Sequence, residues 1–248
     1  MRWIRRVELP TRASSYLARK QAEVDAQSPP LTPPQLDRKW KGARSTKTVR
    51  DGVVRVLKGM AGPRARCMYC SDSRGATIEH FRPKSSYPEH AFRWPNFLWI
   101  CGDCNTHKNA QFPVGAAGAA LIIDPTLDDP WEHLFFDSST GEITACYLAD
   151  GSRDEKGKHT IQAISPLRDQ AVTEGRLRAW RNIVRVVEGA LESPPESVVA
   201  LIDAIGDVDG YGLARWSFHC GGRDEQPFRR FREEQPDAWE AVARSLAG

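Results

Sequence analysis

Two C-x-x-C units, Cys67–Cys70 and Cys101–Cys104, constrain the fold of this chain more than any other feature. Thirty residues separate the inner cysteines, enough for a hairpin that returns the second pair beside the first. Paired units of this spacing suit a tetrahedral zinc ion rather than a disulfide framework. Four thiolates close the coordination sphere, so such an ion is structural and leaves no position for a substrate. It would staple together the two ends of whatever lies between. Cys146 and Cys220 stand alone and read as small buried apolar residues or surface thiols.

The intervening stretch reads as strand, long loop, strand and helix. ATIEHF at 76–81 is β-prone and is closed by Pro83, and NFLWIC at 96–101 has strand composition. DCNTHKNAQ at 103–111 fits a short helix that stops near Pro113. Glu79 and His80 fall at the end of the first strand and Asn105 at the start of the helix. Hydrolysis of a phosphodiester needs a base for water and a cation for the charge on phosphate and leaving oxygen. A histidine with an ordinary pKa of ~6.5 suits the base. Oxygen donors such as Glu79 and Asn105 favour Mg²⁺ or Mn²⁺ over the softer ion that thiolates take. Adjacent residues on a regular strand face opposite ways, so Glu79 and His80 share a site only if the strand ends or bulges there. Asn109, four residues beyond Asn105, is expected on the same helical face as a second ligand. His107 faces away from it and reads as a surface or packing histidine. Lys108 is expected at a phosphate or over the zinc knuckle. Arg82, Lys84 and Arg93 flank the base and are placed to meet a nucleic-acid backbone or to form a solvated loop face. Trp94 and Trp99 read as core.

This constellation resembles the zinc-stapled branch of the HNH endonucleases: C-x-x-C, Glu79-His80, a proline, Asn96, then C-x-x-C-N-x-x-K ending at Lys108. The match covers about 50 residues. It implies a ββα-metal core with His80 as base, Glu79 and Asn105 as ligands of a catalytic divalent ion, and Asn96 as the loop residue that holds the histidine's orientation. It also implies cleavage to 5′-phosphate and 3′-hydroxyl ends. The third letter of the motif is asparagine here, so that ion would have weaker, neutral ligation at Asn105. MRWIRR, IEHFRPKS and LIIDPTLDDPWEHLFFD are similar to the PtuB group of HNH proteins from Septu-type and retron-associated antiphage systems. That resemblance implies an ATPase partner, PtuA, and a restrained nuclease. A non-enzymatic, zinc-containing nucleic-acid-binding module is the alternative, if Glu79, His80 and Asn105 are incidental.

Charge is divided along the chain. Residues 1–115 carry 21 Lys/Arg against 9 Asp/Glu, and the other 133 carry 14 against 23. The basic part is suited to a polyanion. The expected fold class is α+β, with a basic helical segment at 1–60, the nuclease core with its zinc at 61–115, a short-strand connector at 116–165 and an acidic helical region at 166–248, a possible docking surface. Within these, LII at 121–123 and EITACYL at 142–148 are candidate strands, and SPPLTPP at 28–34 is a turn or linker. Val49, Val53, Val56, Leu57 and Met60 follow helical spacing, weakened by Gly52 and Gly59. Leu177, Trp180, Ile183, Val184, Val187 and Leu191 lie on one helical face. Ser193-Pro-Pro-Glu196 reads as a capping box opening the next helix, and 237–247 as a last one. No apolar run is long enough to span a bilayer and no secretory signal is visible, so a cytoplasmic, membrane-free protein is expected.

Overall fold

The three N-terminal helices form because their apolar residues recur at helical spacing. The protein is described by a computed structural model covering residues 1–193 and 196–246. Helix α1, Thr11–Asp25, turns Ala13, Leu17, Gln21 and Val24 inward. Helix α2, Pro33–Arg44, begins inside the expected linker. Pro33 and Pro34 occupy the first turn, where no backbone donor is needed, and Thr32 forms a capping box with Gln35. A wider π-type turn at Val49–Val54 leads into α3, Arg55–Met60, and encloses Val49, Val53 and Leu57. Gly52 weakens a helix by propensity, but a Cβ there would overlap the side chain of Ala13 on α1.

Strands β1, Thr77–His80, and β2, Phe97–Ile100, pair antiparallel, with Thr77 opposite Ile100 and His80 opposite Phe97. Helix α4, Gly102–Lys108, follows directly. A second antiparallel pair joins β3, Leu134–Phe136, to β4, Ile143–Ala145. Part of EITACYL therefore becomes β4, but LII does not become a strand. Ile122 and Ile123 are enclosed in irregular chain, where the Ile123 N–H donates to Thr160 Oγ1 at 2.8 Å. An apolar triplet has no readable period, and burial alone does not make a strand.

The rest is helical: α5, Glu155–Ala163; α6, Gln170–Glu192; α7, Val198–Val208; α8, Leu213–His219; α9, Phe228–Glu234; and α10, Pro236–Leu246. On α6, Trp180, Ile183 and Val187 are buried, while Leu177, Val184 and Leu191 are half-buried along the same face. Helix α7 opens later than expected. Ser197 caps it by accepting from the Ala200 N–H at 3.1 Å, whereas Ser193 terminates α6. The two prolines of the expected capping box lie outside the described residues. Buried apolar side chains from Met1 to Val242 form one cluster. Its C-terminal part is aromatic, with Trp180 stacked on Phe228 at 5.0 Å and meeting Trp216 edge-on at 5.3 Å. The fold is thus mostly helical with two small sheets, and no helix among the described residues is long and apolar enough to cross a membrane.

Candidate active site

The four motif cysteines converge. Cys67 and Cys70 lie on the turn before β1, Cys101 caps α4 and Cys104 sits in its first turn. Their ligand atoms all lie within 4.8 Å of one another, and Cys70 and Cys101 Sγ are 3.9 Å apart. Tetrahedral zinc with Zn–S near 2.3 Å places sulfurs about 3.8 Å apart, whereas a disulfide needs about 2.05 Å. All four are free thiols and buried. Hydrogen bonds within the cluster hold Cys70 and Cys101 below the usual thiol range and Cys104 above it, and burial raises Cys67, so two of the four carry thiolate character before any metal binds. The cluster could bind zinc. The knuckle is braced by Met68 N–H on the Trp99 carbonyl at 2.9 Å and by Arg66 Nη1 on the carbonyls of Ser71 and Asp72. Gly75 is required beside it, because a Cβ there would overlap the Trp99 indole.

β1 ends at His80, and its last two side chains leave on different sides of the hairpin. Glu79 turns to α4, where Lys108 Nζ donates to Glu79 Oε1 at 2.7 Å and to the His80 carbonyl at 3.0 Å. Lys108 is 0% exposed and the Glu79 side chain 12%. Burial raises the Glu79 carboxyl above its usual range, with Lys108 opposing that shift. His80 turns to α2 and packs edge-on against Trp40 at 4.5 Å and Phe97 at 5.2 Å. Its Nε2–H donates to the Ala91 carbonyl at 2.9 Å, so Nδ1 carries the lone pair of the neutral ring. The residue is only 4% exposed, and burial pushes its pKa down to about 3.

The segment that receives His80 is held from both sides. Asn96 Nδ2 donates to the carbonyls of His90 and Arg82, each at 3.0 Å, and Asn96 Oδ1 accepts from Arg82 N–H at 2.7 Å. From α1, Gln21 Oε1 accepts from Phe92 N–H at 2.7 Å and its Nε2 donates to the Pro88 carbonyl at 3.1 Å. Asn96 thus reaches the histidine through the backbone around Ala91, not by touching the ring. Asn96→Ala strands enclosed backbone groups and is expected to lower stability by about 2–4 kcal/mol, read by denaturant unfolding. A loss under about 0.5 kcal/mol contradicts this role for Asn96.

Other expected site residues are placed as follows. Asn105 is half-buried on α4, three residues before Lys108, so the two share a helix face. Asn109 departs from its expected place. The helix stops at Lys108, and Asn109 takes φ 44° as its C-cap, so it does not continue the face of Asn105. Lys108 has no surface for a phosphate, because it is enclosed on Glu79. Lys84 pairs with Asp37 at 3.4 Å, Arg93 with Asp25 at 3.4 Å, and Arg82 lies over Phe112 and Tyr87. His107 is exposed and bonds Ser165 Oγ at 2.8 Å. Trp99 is buried and Trp94 half-buried, its Nε1 donating to the Val7 carbonyl. Of the basic N-terminal residues, Arg6 is half-buried and donates to the Trp94 and Phe97 carbonyls and Thr126 Oγ1, whereas Arg44, Lys47, Arg50 and Arg55 are exposed. Sequence reasoning missed Trp40, Gln21 and Ala91. The first two read only as buried positions of amphipathic helices, and the third acts through its backbone.

Carboxylate and carboxamide oxygens such as those of Glu79 and Asn105 are the donor types a hard divalent cation such as Mg²⁺ takes, but Lys108 Nζ already occupies Glu79 Oε1 at 2.7 Å. No protein-family model matches the chain. Septu protein PtuB from Bacillus mycoides (strain KBAB4) is 30% identical over 173 residues, covering 56% of this chain and 56% of that protein. The chain is similar to PtuB. Septu protein PtuB from Bacillus thuringiensis is 29% identical over 136 residues, covering 51% of this chain and 46% of that protein. The chain spans about half the length of the curated relatives it matches.

Proposed function

We propose that this protein is a metal-dependent endonuclease of the HNH type, the nuclease component of a Septu-like antiphage system that acts with an ATPase partner in the cytoplasm. What supports this reading is the neutral, backbone-anchored His80 at the end of β1, with Glu79 as its chain neighbour on the other side of the hairpin and Asn105 one turn before the Lys108 that holds that carboxylate. Similarity to two PtuB proteins supports the system. In this mechanism Ala91 fixes the His80 tautomer, and Nδ1 takes the proton from water as it attacks phosphorus. Mg²⁺ or Mn²⁺, held by Glu79 and Asn105, would supply neutralisation of charge at the scissile phosphate. The zinc cluster keeps α4 against the turn before β1 and stays outside the chemistry. Arg82 and Lys84 flank the base in sequence and are the residues proposed for backbone contacts to the nucleic acid, which is DNA in this reading.

A gated form of this reading is favoured by one observation. The His80 ring is covered by Trp40 and Phe97, and Lys108 occupies one oxygen of Glu79. The site as folded is therefore closed, and a partner that shifts α2 would open it. The test is incubation of the purified protein, alone and with its ATPase partner, with supercoiled plasmid and total RNA in Mg²⁺, Mn²⁺ or EDTA. Divalent-dependent cleavage, alone or with the partner, is expected. Salt-dependent binding with no cleavage under either condition replaces the reading by a zinc-containing binding module.

A further inference from the structure

The chain beyond residue 115 is acidic, yet one of its cavities is cationic. It has a volume of about 480 Å³, within the range of small-molecule sites, and lies between β4, α5 and the first turns of α6. Arg153, Lys158, Arg168 and Arg176 line it against a single carboxylate, Glu142, and Ile143 and Ile161 add apolar wall. None of these residues belongs to the site around His80.

Arg176 sets the character of the cavity. Its side chain is fully enclosed, with Nε donating to the Gly141 carbonyl at 2.9 Å and Nη2 to the Leu167 carbonyl at 2.9 Å and Thr173 Oγ1 at 3.2 Å. Nη1 has no partner among the described residues. That atom is itself sealed from solvent, so Arg176 lends the cavity wall positive charge rather than a direct contact with its contents. Arg168 and Lys158 are exposed, and Lys158 meets only Glu155, in a surface pair at 3.2 Å that holds it weakly. Arg153 donates to the Ala145 carbonyl at 2.7 Å and covers Tyr147. Thr173 comes from the first turn of a long helix, which favours negative charge.

We propose that this cavity binds a phosphorylated small molecule of nucleoside monophosphate size, its phosphate held by the exposed Arg168 and Lys158 over the enclosed charge of Arg176 and its apolar part against Ile143 and Ile161. Planar guanidinium forks match phosphate oxygens, and the volume exceeds what a lone phosphate fills. Calorimetric titration of the full chain with AMP, adenosine and inorganic phosphate tests this, and it needs no cleavage, so its outcome is independent of the nuclease reading. AMP is expected to bind, inorganic phosphate to compete with it, and adenosine to bind at least about tenfold more weakly. The double variant Arg168→Glu, Lys158→Glu uses exposed positions and should keep its circular dichroism and zinc content while losing roughly 10- to 100-fold in AMP affinity. No heat with AMP, equal binding of adenosine, absence of competition by phosphate, or unchanged affinity in the double variant would each overturn the proposal.

Discussion

Cys104→Ala is expected to release zinc and abolish cooperative folding of the segment from Cys67 to Lys108. The thiol is fully buried in the cluster, on the helix that carries Asn105 and Lys108. Apparent binding free energies for structural zinc run at about 10–16 kcal/mol, as large as the whole stability of an ordinary domain at about 5–15 kcal/mol. Loss of one ligand also leaves three buried thiols without the cation that organises them. Zinc content after gel filtration and the thermal unfolding curve measure the effect. A strong chelator added to the unmodified protein should reproduce it. A variant that melts at the unmodified temperature would show that the cluster is not a structural metal centre.

Lys108→Met is expected to destabilise the protein by about 3–5 kcal/mol, because it leaves the Glu79 carboxylate enclosed without its partner. The His80 carbonyl loses its Lys108 donor at the same time. Because the penalty comes from an orphaned charge, the double variant Lys108→Met, Glu79→Gln should recover most of it. A double-mutant cycle by denaturant unfolding separates the two effects. Additive losses, with no recovery, would mean that the pair is not coupled as its 2.7 Å contact implies.

The hairpin and helix of the site are legible because their signals are local. Pro83 closes the first apolar run, the C-x-x-C spacing orders the ends, β1 and β2 form inside the expected segments, and α4 begins one residue ahead of its own and stops three short. What escapes sequence reading depends on chain geometry or tertiary contact. Placing Asn109 on the Asn105 face assumes one more turn of helix, but the chain reverses at that residue. A basic residue beside a presumed phosphate site reads as a phosphate ligand, whereas Lys108 is drawn inward by Glu79, 29 positions away. Ile122 and Ile123 have strand composition and are buried in a loop, while β3 has only three residues to announce itself. The cover on His80 comes from Trp40, which the sequence marks only as one more apolar residue on α2.

Cleavage by the unmodified protein against His80→Ala decides whether His80 is the base of a phosphodiester hydrolase. Both proteins are first matched for zinc content and for their unfolding transition, since the ring also packs on Trp40 and Phe97. With burial holding the imidazole down to about 3, it is neutral throughout the pH 6–8 range of the assay, and release from the Trp40 and Phe97 cover would raise it toward the range that suits a base. Divalent-dependent nicking by the unmodified protein is expected, with a loss of about 10²–10⁴-fold in the variant. Nicking that persists unchanged in a folded, zinc-loaded His80→Ala protein would contradict that role.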